Sequence, residues 1–594
     1  MQGDESFASS FRALTKDDQT DGFDPLRWQQ RLFVDYFSRN QIPSLCDLPT
    51  GLGKTSVILI WLIALRQQIL EGKKDRLPTR LVYVVDRRTV VDQATALVER
   101  IRKNLKGVDA HNHQLAVSTL RGQLADNREW TEDPSKPAII IGTVDMIGSR
   151  LLFSGYRSSY KRRPLEAGLL GQDALLVLDE AHLSEPFAKL IQQISDKGPF
   201  QSGQGLPMRV MRMSATSMED DADRFKLEKG DLEGTPETNP IKQRYEAKKR
   251  LDIKDVEQDR LRKSVVGTAC ELAKDRSRVV VFVLRPDDAV AIAEAIRKDK
   301  LLRDAVEVLT GTIRGLERDE LLKKPVLQRF LDGEEKPEER PGKAAAVLVS
   351  TSAGEVGFDL NADHMVCDAV PLDSMIQRLG RVNRRGYGNA IVRVFAVKRD
   401  EKKKAKSKKN EHTFESAAAE AMSCLEQLHK SDEVLDASPK AVDALKERLT
   451  KEQLFAASAP KPAMVELTDV LLDAWSMTTI TKPMPGRPPV AAWLRGLDAE
   501  EQQTTIAWRA ELDIEGFDQL DIDEIEEWFD AHRILPHETL SVPTIKASEW
   551  MQERWKGLPE ELRERRCMID QAGLEMVNLK RRYPDKAVLH RHPG

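Results

Sequence analysis

The chain has 594 residues, of which 40% are hydrophobic and 32% charged, with a formal net charge of −4 at pH 7. That length supports three or four independent cores, and the near-neutral total excludes a global basic field. Any nucleic-acid contact therefore has to come from a local groove.

Five widely spaced cysteines (Cys46, Cys270, Cys367, Cys424, Cys567) form neither a zinc pair nor a disulfide ladder, as expected in a reducing cytoplasm. Residues 1–10 are polar and acidic and lack the apolar stretch of a signal peptide. No run approaches the roughly 18 apolar residues a membrane span needs. The expectation is a cytoplasmic protein with no membrane segment.

Residues 1–22 are polar and are expected to be mobile, and the stretch Phe23 to Gln30 opens a helix with Pro25 near its first turn. Next comes Asp47-Leu48-Pro49-Thr50-Gly51-Leu52-Gly53-Lys54-Thr55, placed where a strand should hand over to a helix. Thr50, Gly51 and Gly53 let backbone N–H groups curl around a phosphate. Lys54 reaches the outer phosphates, and Thr55 offers a hydroxyl to magnesium. Leu48 stands where the usual pattern has a further glycine.

From there to about residue 225, short apolar strands alternate with helices, at residues 81–85, 115–118, 139–141, 175–178 and 209–213. Near-continuous apolar runs of this kind belong to a parallel sheet covered on both faces. Leu178-Asp179-Glu180-Ala181-His182 ends the fourth of these strands, the edge where such sheets bind ligands. Asp179 is placed to hold magnesium together with Thr55, and Glu180 to polarise an attacking water. Ser214-Ala215-Thr216 ends the next strand, where Ser214 and Thr216 can bond His182 and couple it to the phosphate site; an ordinary helix cap is the better reading of the tripeptide alone.

Residues 219–260 are polar and read as a connector. A second alternating region follows, with strands at 278–283, 346–350 and 391–397. The segment Ser350 to Asp359 is a strand-to-loop transition whose glycines permit close backbone approach to a ligand. In Gln377-Arg378-Leu379-Gly380-Arg381-Val382-Asn383-Arg384, two arginines three apart project in one direction. Arg381 and Arg384 can thus reach a transferring phosphoryl group.

The basic run Lys402 to Lys409 reads as a solvated linker, with a phosphate-contacting tether as the lesser alternative, and 412–458 as amphipathic helix. From Pro460 the prolines and tryptophans cluster, which marks a separate C-terminal domain whose tryptophans read as core anchors before base-stacking platforms.

Taken together, these motifs resemble superfamily 2 helicases over about residues 24–398. More narrowly they resemble the CRISPR-associated helicase of type I systems, on the segments Ile141 to Arg150, Leu178 to Ser184, Glu355 to Asp359, Gln377 to Arg384 and Asp473 to Thr478. The resemblance implies an α/β fold of two tandem RecA-like parallel-sheet domains, at 23–235 and 236–398. A flexible N-terminus (1–22) precedes them; a basic linker and helix (399–459) and a smaller accessory domain (460–594) follow.

It also implies ATP with Mg2+ as cofactors, Lys54, Asp179, Glu180, Gln377, Arg381 and Arg384 as catalytic residues, and Gly357 and Asp359 beside the nucleotide. Gln29 matches the adenine-reading glutamine, with Gln30 as the alternative. Single-stranded DNA, drawn in 3′ to 5′, would meet Arg87, Arg88, Arg121, Gly122, Thr143 and Asp145 in the first domain and Thr310, Gly311 and Thr351 in the second. The implied partner is a crRNA-guided surveillance complex.

The family's histidine–aspartate nuclease has no counterpart among the ten histidines, none of which precedes an aspartate. It is expected on a separate chain or past residue 594. Rival readings are a DEAH-type RNA helicase and a non-motor, ATP-gated nucleic-acid clamp or adaptor.

Overall fold

The computed structural model describes residues 2–18, 20–108, 115–120, 128–156, 158–197, 206–215, 223–331, 336–398, 412–431, 434–482, 484–497, 503–507, 538–556, 567–569 and 576–578. Two compact units divide the chain: one takes 1–121, 125–310 and 324–497, the other 122–124, 311–323 and 498–594.

The larger unit holds two sheets. In the first, β1 (Leu45–Asp47), β2 (Arg80–Val85), β3 (Ala116–Leu120), β4 (Ala138–Thr143), β5 (Ala174–Leu178), β6 (Arg209–Ser214) and β7 (Arg224–Lys226) are all parallel, in the order β3-β4-β2-β5-β6-β1-β7. Side chains alternate across it as a pleated strand requires. Leu81, Tyr83 and Val85 enter one core with the helix Val57–Leu70, while Val82 and Val84 enter another with the helices Val144–Leu151 and Glu185–Lys197.

The second sheet contains β8 (Lys249–Val256), β9 (Arg278–Phe282), β10 (Val306–Leu309), β11 (Ala346–Ser350), β12 (His364–Asp368), β13 (Ala390–Val397), β14 (Lys430–Ser431) and β15 (Val434–Asp436). Its order is β10-β11-β9-β12-β13-β8-β15-β14; β8 to β13 run parallel, and β15 and β14 close one edge antiparallel. Two parallel-dominated sheets in tandem make the RecA-like architecture.

Three sequence expectations change here. Residues 2–15 form a helix, and its Phe7, Phe11 and Leu14 are buried in the first core, so this segment is folded rather than mobile. The polar 219–260 stretch is more than a connector: it supplies β7 to the first sheet and β8 to the second. The 412–458 segment breaks into the helices Phe414–Leu425, Pro439–Arg448 and Lys451–Ala457, with the β14–β15 hairpin after the first. Residues 402–409 lie outside the described residues.

The stretch after Pro460, read from composition as the start of a separate domain, packs in the larger unit up to Leu497. Trp475 and Trp493 meet edge to face with ring centroids 4.9 Å apart and join the second core of the first lobe. Such a pair contributes roughly 0.5–1.5 kcal/mol beyond its burial. Each indole N–H is satisfied, by Pro488 O at 2.8 Å and Glu466 O at 3.2 Å. A Cβ on Gly148 would fall 2.4 Å from the Leu494 side chain, so only glycine lets this strap sit so close to the helix Val144–Leu151.

In the smaller unit Gln503–Ala507 pairs antiparallel with Thr539–Pro543, which leads into the helix Thr544–Lys556, and Cys567–Ile569 pairs with Met576–Asn578. No described helix is long and apolar enough to cross a membrane.

Candidate functional site

The phosphate-loop sequence leaves β1 and turns twice through left-handed backbone, at Gly51 (φ +85°) and Gly53 (φ +76°), where a side chain would be strained. Lys54–Ser56 then forms a single 3-10 turn leading into the helix Val57–Leu70. Leu48 explains the departure from the usual glycine. Its side chain is fully buried, and its N–H extends the β1–β6 ladder to Ser214 O at 3.2 Å.

Around this turn the sequence-predicted residues converge. Lys54, 8% exposed, donates from Nζ to Glu180 Oε1 at 3.0 Å. Burial pulls the Lys54 ammonium down, but Glu180 and Asp179 outweigh it and its pKa is raised. For Glu180 burial pushes upward, and Lys54 and His182 more than offset it, so the carboxyl stays below its ordinary range. Asp179 goes the other way: burial and then Glu180 raise it to about 6. Glu180 has left-handed backbone (φ +47°), a conformation costly for a side-chain-bearing residue and retained where surrounding structure fixes it.

The second lobe reaches the same carboxylate. Gln377 Nε2 lies 3.2 Å from Glu180 Oε2 and 3.3 Å from His182 Nε2, while His182 Nδ1 faces Ser214 Oγ at 3.4 Å. This pattern fits a neutral imidazole with its proton on Nδ1, and burial lowers the His182 pKa in the same sense. Thr216 lies outside the described residues.

The two candidate arginine fingers separate. Arg381 is spent on backbone, donating from Nε to Glu355 O at 2.7 Å and from Nη1 to Phe358 O at 2.9 Å. Burial and the neighbouring Arg384 pull its guanidinium down to about 10. Arg384 pairs with Asp359 at 2.7 Å, and its side chain lies over the phosphate loop, 3.1 Å from where a Gly51 Cβ would be. Its Nη1 is buried with no partner. Gly380 packs just as closely against Thr50 of that loop, where a Cβ would overlap the hydroxyl at 2.2 Å. Gly357 turns the neighbouring chain through φ +100°.

Gln29 sits beside the loop and is 4% exposed. It accepts from Leu26 N at 2.7 Å and donates to Ser56 Oγ at 2.7 Å, which locks the start of the helix Arg27–Asp35 to the phosphate turn. An unpartnered guanidinium nitrogen above two left-handed glycines is the donor set a triphosphate fits. Thr55 and Asp179, at the phosphate turn and the end of β5, are the side chains that could hold a divalent cation beside it.

Away from this cleft, Thr143 caps the helix Val144–Leu151 through Met146 N at 3.4 Å. Asp145 is held by Arg495, with Nη2 at 2.7 Å and Nε at 3.0 Å, and the same guanidinium pairs with Asp86. Arg87 crosses to the second lobe and donates to Ser352 O at 2.7 Å, next to the buried Thr351. Thr310 is buried just past β10, and Gly311 belongs to the smaller unit. Arg121 and Gly122 lie outside the described residues, as does the side chain of Arg88.

Sequence reading passed over four contributors. Tyr83 bonds Asp179, Arg244 donates to Gly51 O at 2.9 Å, Arg495 ties Asp86 to Asp145, and Arg378 is buried between Glu355 and Asp368. For Tyr83 alone a signal existed: a hydroxyl in an otherwise apolar strand.

Residues 28–225 match the DEAD/DEAH box helicase family model, and 275–387 match the CRISPR-associated nuclease/helicase Cas3, C-terminal model. A curated relative, the ATP-dependent DNA helicase mph1 of Aspergillus fumigatus, is 28% identical over 143 residues, 23% of this chain and 12% of that protein. Among solved structures, T. fusca Cas3 with AMPPNP superposes with a TM-score of 0.56 at 15% identity, over 91% of this chain and 65% of that one. The DUF1998 helicase MrfA bound to DNA and AMPPNP gives a TM-score of 0.47 at 17% identity, over 66% of this chain and 50% of that one. The chain thus spans about an eighth of the curated relative and half to two thirds of these solved chains. With a first lobe matching the DEAD/DEAH box model and a second lobe matching the Cas3 C-terminal model on two RecA-like sheets, the chain is similar to Cas3-like superfamily 2 helicases.

Proposed function

We propose that this chain is an ATP-driven, magnesium-dependent motor that moves 3′ to 5′ on single-stranded DNA and unwinds target DNA in type I CRISPR interference, in the cytoplasm. In this reading a crRNA-guided surveillance complex recruits it, and a histidine–aspartate nuclease on another chain or past residue 594 completes degradation. The observation that carries the reading is the Lys54–Glu180–Gln377 chain of contacts, which joins phosphate loop, acidic box and second lobe through one carboxylate.

When nucleotide is bound, Lys54 and the loop N–H groups hold its phosphates, Arg384 supplies positive charge from the opposite lobe, and Gln29 stands beside the loop for the base. Thr55 and Asp179 hold the cation. Glu180, released by Lys54, polarises the attacking water, while His182 and Ser214 relay the state of the site to the second lobe. Arg87, Thr143, Asp145 and Thr351 line the ends of strands on which a sequence-neutral grip on DNA phosphates depends.

The test is ATP hydrolysis with and without single-stranded DNA, together with displacement of a duplex carrying a 3′ overhang. Wild type should be stimulated by DNA and should separate strands, and Lys54→Ala should do neither. Stimulation by RNA alone would replace this reading with an RNA helicase, and DNA binding without strand displacement would replace it with an ATP-gated clamp.

A further inference from the structure

A strand covered on both faces ordinarily carries apolar side chains, and β2 departs from this inside its run at Tyr83. The ring is fully buried in the core beneath the helix Val57–Leu70. Its hydroxyl lies 2.8 Å from Asp179 Oδ2, with the Thr55 side chain near enough to influence it. Asp179 has its other oxygen occupied, since Oδ1 accepts the Glu180 N–H at 3.0 Å.

The direction of these bonds follows from the donor inventory. A phenol has one proton and can accept on the same oxygen, whereas a carboxylate only accepts. Tyr83 therefore donates to Asp179, and its oxygen keeps lone pairs open to a hydroxyl beside it. A threonine hydroxyl that binds a cation must turn a lone pair to the metal, and so must send its single proton elsewhere. In this site the phenol oxygen, whose own proton goes to Asp179, is the acceptor near Thr55 available for that proton.

We infer that Tyr83 is a positioning residue for the divalent cation, orienting the Thr55 lone pair and the Asp179 carboxylate together through one hydroxyl. The inference rests on the reading of Thr55 and Asp179 as the cation site. Partners that fix the direction of metal ligands matter to affinity almost as much as the ligands, and removing one typically costs 10–100-fold. The arrangement differs from a direct threonine-to-aspartate bond in having a relay between the two ligands.

Tyr83→Phe removes one oxygen and keeps the ring in its pocket. The experiment uses the full chain and compares wild type, Tyr83→Phe and Thr55→Ala with the double variant. Two quantities are read: Mn2+ affinity in the presence of ADP, by electron paramagnetic resonance, and affinity for fluorescent ADP in EDTA. Tyr83→Phe should weaken Mn2+ binding roughly tenfold or more while leaving metal-free ADP affinity unchanged. In the Thr55→Ala background the same change should cost much less, because the two residues act through one bond. Unchanged Mn2+ affinity in Tyr83→Phe, beside saturable binding by wild type, overturns the inference. An equal loss of metal-free ADP affinity overturns it as well, by showing a merely structural role. If wild type binds ADP but takes up no Mn2+ with it, the reading of Thr55 and Asp179 fails first and the inference falls with it.

Discussion

Arg378 and Arg384 lie six residues apart in one arginine-rich motif, yet their surroundings assign them opposite jobs. Arg378 is 1% exposed and donates from Nε to Glu355 at 2.7 Å and from Nη1 to Asp368 at 2.8 Å. Burial alone would lower its pKa, but the two carboxylates raise it instead. Replacing it with methionine fills much of the volume and leaves two buried acids facing each other. Breaking a buried charge cluster in this way costs about 3–5 kcal/mol. Arg384 pairs with an Asp359 side chain that is 54% exposed, and such partly solvated pairs contribute about 0–1 kcal/mol. Its Nη1 has no protein partner to lose. The expected result is a double dissociation. Arg378→Met should lower the urea midpoint of the first unfolding transition sharply, and Arg384→Met should leave it near wild type while cutting DNA-stimulated ATP hydrolysis by about 10³-fold or more. Glu355→Gln added to Arg378→Met should recover part of the lost stability, since one orphaned charge is then gone. An Arg378→Met protein within about 1 kcal/mol of wild type would refute the charge-cluster argument.

Lys249 is buried, donates to Leu379 O at 2.7 Å, and is pulled down to about 7 by burial and then by Arg384. Its unfolded value is 10.5, so between pH 7 and 10 the unfolded chain binds more protons and stability should rise with pH. Thermal melts should show that slope in wild type and a flatter one in Lys249→Met; identical slopes would count against it. Arg495→Gln frees Asp86 and Asp145 of their shared cation beside the proposed DNA grip, and should weaken single-stranded DNA binding while sparing ATP hydrolysis without DNA. Fluorescence anisotropy at two salt concentrations checks this, and tighter binding would show that Arg495 blocks the strand.

The phosphate turn and the acidic box were legible because their chemistry resides in residue identity: glycines where φ must be positive, and a lysine, a threonine and two acids at strand ends. Most of the apolar strands were legible for the same kind of reason, since burial on both faces leaves few alternatives, although β10 and β12 went unread. β8 was hidden because Lys249–Val256 carries charge at five of its eight positions, with Lys249, Leu251 and Val256 buried among more exposed charged residues. The N-terminal helix was hidden by composition, although Phe7, Phe11 and Leu14 stand at the helical spacing that signals one buried face. Spacing predicted a shared helix face for Arg381 and Arg384, but the helix ends at Leu379, and no spacing reveals that Arg381 meets two backbone carbonyls. That depends on where the Glu355–Phe358 loop lies. The same holds for Arg495, whose acidic partners are 350 and 409 positions away in sequence.

Glu180 is where the proposed function acquires a switch. One of its oxygens takes the Lys54 ammonium at 3.0 Å and the other takes Gln377 from the second lobe at 3.2 Å. In the proposed mechanism Lys54 leaves that contact to reach a triphosphate, so nucleotide and Glu180 compete for one cation. A hydrogen bond to a charged group is worth about 1.5–3 kcal/mol, and each 1.4 kcal/mol shifts an equilibrium about tenfold. The competition therefore has the size a two-state device needs: large enough to shift populations, small enough for phosphate binding to reverse. As Lys54 leaves, Glu180 gains the freedom to act on water while Gln377 and His182 still hold its other oxygen. On the proposed function, the carboxylate that performs the chemistry is thus the one through which the second lobe senses it, which would link ATP turnover and lobe movement through a single side chain.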